Sequence, residues 1–150
     1  VAQATGVETF KDCKVETSTD GSTWTDISGY ASSVAVDGFE RAQGEAYTFD
    51  GDYPIVGTGK MQRGTVTVRI AYTEGESDPF KAAWDAYEGN TQLQVRYWPE
   101  GGETGEFGFY TDTDSRIVAP PTVAGEANSA DPIMVEFQVV SKRLQRTTAT

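Results

Sequence analysis

Four stretches of this 150-residue chain alternate apolar and polar side chains one by one, and a period of two admits little except half-buried β-strand. In Thr65 to Thr73, Val66, Val68, Ile70 and Tyr72 share one face, with Thr65, Thr67, Arg69 and Thr73 opposite. Thr91 to Trp98 repeats the pattern, with Leu93, Val95 and Tyr97 set against Gln92, Gln94 and Arg96, and it halts at the turn-forming run Pro99 to Gly102. Phe107 and Phe109 alternate with Glu106, Gly108 and Tyr110, and Ile133, Val135, Phe137 and Val139 carry the last stretch. Strands that are apolar on one face need a shared interior. The pattern therefore predicts a mainly β chain, a two-sheet antiparallel sandwich or partial barrel.

One helix interrupts the strands. In ESDPFKAAWDAYEGN, Asp78 suits the N-cap, Pro79 takes the first helical position, where its missing donor costs nothing, and Gly89 fits a left-handed stop. Phe80, Ala83, Trp84 and Tyr87 fall on one face, and Lys81 and Asp85 pair on the other. The spacing predicts a short flanking helix over about 78–88. It is too short to persist alone in water, so its aromatic face must pack on the strands, covering an edge or an end of the sandwich.

Upstream, Asp20-Gly21 signals a hairpin between strands at Asp12 to Thr17 and Ser22 to Ile27, with Trp24 covering one end of the core. A further strand, Ser33 to Asp37, ends at Gly38. Then comes FERAQGEAYTFDGDYPIVGTGK, which mixes aromatics at 39, 47, 49 and 53 with four glycines. Aromatics want burial, and so glycine-rich a stretch offers little of it locally. A long Gly-rich loop over about 38–60, or a protruding hairpin, that packs on a partner reconciles the two. Tyr47, Phe49 and Tyr53 read as a protein contact, as packing on their own sheet, or, third, as a sugar platform. APPTVAGEANSADP reads as a crossover loop.

Length fits one domain, and a hydrophobic fraction of 37% with 16 glycines fits either a turn-rich β protein or one that completes its burial with neighbours. The formal net charge of −11 opposes binding to DNA, RNA or anionic membrane. Basic residues gather at the end, where Lys142, Arg143 and Arg146 make a tail that either docks on another copy's acidic surface or frays into solvent. The chain has no histidine, which removes the commonest general base and metal ligand. VGTGKMQRG misses the phosphate-loop pattern at Pro54 and Met61. Asp50 with Asp52 and Asp112 with Asp114 lack calcium-loop spacing and read as solvated turn acids. Cys13, the single cysteine, reads as a small buried side chain. No cofactor, metal or enzymatic activity is expected. Nor is there a bilayer-spanning run or a secretory pattern, so assembly in the cytosol is expected.

The stretches GEAYTFDGDYPIVGTGK, TVTVRIAYTEGESDPFKAAWDAYEG and LQVRYWPEGG, closed by IMVEFQVVS, taken in that order, resemble the major tail tube proteins of long-tailed, siphovirus-type bacteriophages. The resemblance spans about 44–141. It implies a virion structural protein whose homohexameric rings stack into a hollow tube that conducts DNA without binding it. It also implies tape-measure, tail-terminator and distal-tail proteins as partners. By position, Phe39, Arg41, Tyr47, Phe49, Asp50, Tyr53 and Lys60 are candidate contacts between rings or subunits. The helix, with Asp78, Phe80, Trp84 and Tyr87, is expected outside the sandwich near a subunit boundary. The polar faces that carry Thr65, Thr67, Gln92 and Gln94 line the lumen or meet neighbours. Two alternatives stand beside this one: a monomeric sandwich that binds glycans or a cell surface, and another phage ring protein for tail completion or capsid decoration.

Overall fold

The computed structural model describes residues 2–150. After a 3-10 turn at Phe10–Asp12 come the strands β1 (Lys14–Ser18), β2 (Thr25–Asp26), β3 (Ala31–Gly38), β4 (Arg41–Ala46), β5 (Ile55–Met61) and β6 (Gly64–Ala71). The helix α1 (Pro79–Gly89) follows, then β7 (Gln94–Trp98), β8 (Phe107–Thr111), β9 (Met134–Ser141) and β10 (Leu144–Thr148). All pairings are antiparallel. A five-stranded sheet has the order β10-β8-β7-β1-β2, a three-stranded sheet the order β3-β6-β9, and β4 pairs with β5 alone.

The two larger sheets face each other across one core, and α1 closes it at one end. Val66, Val68 and Ile70 of β6 and Val135, Phe137 and Val139 of β9 meet Val15, Val95 and Tyr97 of the opposite sheet, with Ile27, Leu93 and Ile117 filling between. The alternation in β6 and β9 is thus borne out. Ile133 is not part of it: β9 begins one residue later, and Ile133 is exposed.

The helix starts at Pro79 as expected, yet both of its ends differ in detail. Asp78 makes no side-chain cap; its carboxylate instead accepts from the Gly75 N–H at 3.0 Å and the Tyr30 hydroxyl at 2.9 Å, which ties the preceding turn to β3. Gly89 is the last helical residue, and Asn90, at φ 50°, takes the left-handed position that a short polar side chain tolerates. The buried stripe is Pro79, Phe80, Ala83 and Ala86, while Trp84 is 38% exposed. Small Ala86 lets the helix approach the sheets closely. Trp84 lies beside the contact, stacked on Phe80 with ring centroids 6.3 Å apart.

The outward face of the five-stranded sheet is covered as well. Rows set by the β1–β7 register place Glu16 beside Arg96 and Ser18 beside Gln94. Glu16 is buried and accepts from Arg96 Nε at 3.0 Å and Trp98 Nε1 at 2.6 Å, while the Arg96 guanidinium lies 4.2 Å from the Trp24 ring centroid and 5.1 Å from that of Trp98. Trp24 therefore lids an outer polar layer rather than one end of the core. Gln94 is buried there too, donating to the Thr111 carbonyl at 2.7 Å, so it faces no lumen.

The basic tail finds its acidic surface in its own chain. Leu144–Thr148 is strand β10, paired along its length with β8, rather than a frayed end. Arg143 Nε donates to Asp112 at 2.7 Å, Lys142 Nζ lies 3.6 Å from the same carboxylate, and Arg146 covers the Phe107 ring at 3.9 Å. Asp114 accepts from Ser141 Oγ and the Lys142 N–H. Asp112 and Asp114 are thus not free turn acids: they grip the corner where the chain passes from one sheet to the other.

Four carboxyls, those of Asp20, Asp26, Asp78 and Asp112, are held below their ordinary range. The Thr113 N–H, aided by Arg143, lowers that of Asp112 against the cost of desolvation, and the N–H groups of Thr23 and Ser22, with the Ser18 hydroxyl, lower that of Asp20 to about 2. A lowered folded pKa contributes stability that is complete above the ordinary carboxyl value of 3.8 and is lost as pH falls through the folded value. Thermal melts should therefore decline from pH 4 to pH 2, and Asp112→Asn with Asp20→Asn should flatten that decline. An unchanged slope in the double variant refutes the assignment.

Candidate functional site

β3 and β6 do not stop where their sheet does. Gly38 pairs with Gly64, Phe39 N–H donates to the Arg63 carbonyl, Gln62 N–H donates to the Glu40 carbonyl at 2.7 Å, and the register resumes at Arg41 opposite Met61. The glycine-rich segment is therefore a two-stranded arm that prolongs the β3–β6 ladder, with a tip at 47–54, and not a loop. Register fixes it: both of its strands grow out of a pair already committed to the core.

A corner joins arm to sandwich. Gly38 at φ 84° and Phe39 at φ 60° both take left-handed backbone, which only glycine adopts freely. A side chain at Gly38 would meet Gly64 Cα at 2.8 Å, and one at Gly64 would collide with the Phe39 ring. The corner turns Phe39 inward, where it packs on the core. Of the candidate contact residues, Phe39 is therefore an internal anchor.

The rest of that set lies on the arm and is exposed. Tyr47 and Tyr53 are 68% and 87% exposed, Phe49 is fully so, and Ile55, Val56 and Met61 of β5 are uncovered beside them. Packing of these aromatics on their own sheet is excluded by this geometry. At the tip, Thr48 Oγ1 donates to the Asp50 carbonyl at 2.7 Å and Gly51 turns at φ 87°, so Asp50-Gly51-Asp52 is turn chemistry as read. Arg41 and Lys60 are exposed, and among the described residues neither meets a carboxylate within 4.0 Å.

Such a shape costs surface. The chain exposes 10139 Å², whereas a compact 16.2 kDa monomer exposes roughly 7,500 Å². The surplus, about 2,600 Å², exceeds the ~800 Å² that each partner gives to a standard interface. Sheet edges are open too: β3 is unpaired on its outer side, and β9 meets only the isolated Arg116–Val140 bridge on its own. Cys13 is half-buried, and desolvation raises its thiol pKa. Among the described residues no group of three or more His, Cys, Asp or Glu is placed to hold a metal ion. Among the described residues no helix is long and apolar enough to cross a membrane.

Neither a protein-family model nor a curated protein matches the sequence. Solved structures do match in fold. A subunit of the PVC extracellular contractile injection system, in its sheath/tube terminator structure, aligns at a TM-score of 0.68 and 13% identity over 99% of both chains. A subunit from the tail of an empty GTA particle, refined with C6 symmetry, aligns at 0.67 and 10% identity over 96% of this chain and 100% of that one. The SPP1 tail tube aligns at 0.64 and 14% identity over 91% and 77%. The chain thus has the fold of phage-type tail tube and tube-terminator subunits.

Proposed function

We propose that this protein is a structural subunit of a phage-type tail tube, six copies of which close into a ring and whose rings stack into a hollow conduit for DNA. The observation that carries the reading is the arm: a ladder extended beyond its sheet to hold three aromatics in water has no use in a monomer and a direct one in an assembly. The open edges of β3 and β9 supply the lateral contacts, since strand pairing between copies removes the exposed backbone groups that make such edges a liability. A net charge of −11 suits a channel that phosphates must pass without sticking. The role is non-enzymatic, and the partners are other copies and the tail proteins at either end of the tube.

A terminator is the second reading, favoured by alignment to tube-terminating subunits over 99% of the chain. Electron microscopy of the purified protein distinguishes the two. Tubes with sixfold rings are the expected outcome, single rings that never elongate support the terminator, and monomers at every salt concentration overturn both.

A further inference from the structure

We propose that the arm tip of one copy seats in a groove at the far end of the sandwich of a second copy, stacked on it head to tail. The inference rests on the assembly reading above and names the receiving surface. The groove, of about 540 Å³, lies between α1 and the segment after Ile117, walled by Phe80, Trp84, Pro120, Pro121 and Val123, with the charged Glu74, Lys81 and Asp85 and the polar Thr122 also lining it. Its apolar wall offers contact to the tip's Tyr47, Phe49 and Tyr53. Trp84 and Val123 are 38% and 42% exposed, left uncovered by anything in their own chain.

Placement singles out a second copy as the occupant. The arm leaves β6 at Gly64, whereas Glu74 and α1 follow the opposite terminus, Ala71; β9 begins with Met134 paired to Ala71, so the segment before it arrives at that same remote end. Eight residues of strand put about 25 Å between plug and socket. The arm therefore cannot fill its own groove. A projection at one end and a matching recess at the other make a heterologous contact, which does not close on itself and repeats along an axis. The surplus surface of about 2,600 Å² is ample for that contact.

The test uses two full-length proteins in a Cys13→Ala background, one carrying Thr48→Cys at the tip and the other Val123→Cys in the groove. They are mixed, assembled and oxidised, and the cross-linked peptides are read by mass spectrometry. A disulfide between the cysteines introduced at positions 48 and 123 of different copies is expected in assembled material and not in monomer. Separately, Val123→Asp, on an exposed segment, should leave the melting curve unchanged and raise the critical concentration for tube growth at least tenfold. Tubes that lack the cross-link, together with normal growth of Val123→Asp, overturn the groove while leaving the assembly reading standing. Failure of the unmodified protein to form any ring or tube overturns both.

Discussion

Alanine at both Tyr47 and Phe49 should leave the monomer folded and stop it assembling. Neither ring packs on the core, so the double variant loses little buried area on folding, and its melting temperature should stay within about 2 °C of the parent, as for surface changes of ~0.5 kcal/mol. In the proposed assembly the same rings would take the place of aromatic anchors, which each contribute on the order of 2 kcal/mol. Losing two of them, about 4 kcal/mol per contact, raises the concentration needed for stacking roughly a thousandfold. Sedimentation against concentration reads the shift, and circular dichroism reads the fold. A variant that unfolds shows that the tip packs internally after all. One that assembles normally removes the arm from the interface.

The largest effect on the monomer itself is expected at Glu16. Its carboxylate is the shared acceptor of the Arg96 guanidinium and the Trp98 indole beneath a lid of two tryptophans, and Glu16→Ala leaves the buried indole and the half-buried guanidinium without that partner. Breaking a buried pair from one side costs about 3 kcal/mol, or a fall of roughly 6–12 °C in melting temperature for a chain of this length. Lys14→Met is the control. Its amine is 4.0 Å from the same carboxylate and more than a third exposed, so its removal should move stability by no more than ~0.5 kcal/mol. Urea melts of the two variants that coincide would sink the proposed ranking.

Glu16 also shows where reading the sequence stops. It lies on the outward face of β1, since Val15 points to the core, and outward ordinarily means solvated. Two tryptophans folded over that face from β7 and from the β1–β2 turn make it a second interior, and nothing local to KVETS announces them. Gln94 was hidden in the same way. In α1 the start at Asp78-Pro79 and the period are legible, but the stop falls at Asn90 rather than Gly89, and which stripe of the helix meets the sheets is decided by how closely the backbones approach, where Ala86 wins over the bulkier Trp84. Strand β10, LQRTT, has no pattern of its own and exists because β8 offers it an edge. Of the two readings of the glycine-rich segment, loop or protruding hairpin, the hairpin holds, because its strands inherit their register from β3 and β6. The aromatics at its tip were singled out correctly as exposed, and Phe39 was grouped with them because no sequence signal marks a phenylalanine in left-handed backbone.

The continuity of that ladder bears on how the molecule carries load. A tube assembled as proposed would pull on its subunits where they touch, and the arm is joined to the sandwich through two chain segments that continue, across the Gly38-Phe39 corner, into β3 and β6. Tension along the arm is parallel to those strands and perpendicular to their hydrogen bonds, so the bonds from Ala31 to Gly38, and those tying β6 to β9, resist sliding together rather than parting one after another. A hairpin grafted on a surface loop would peel away from its end. Growing the arm from the middle strand of a three-stranded sheet spreads the same pull across the most deeply buried part of the protein.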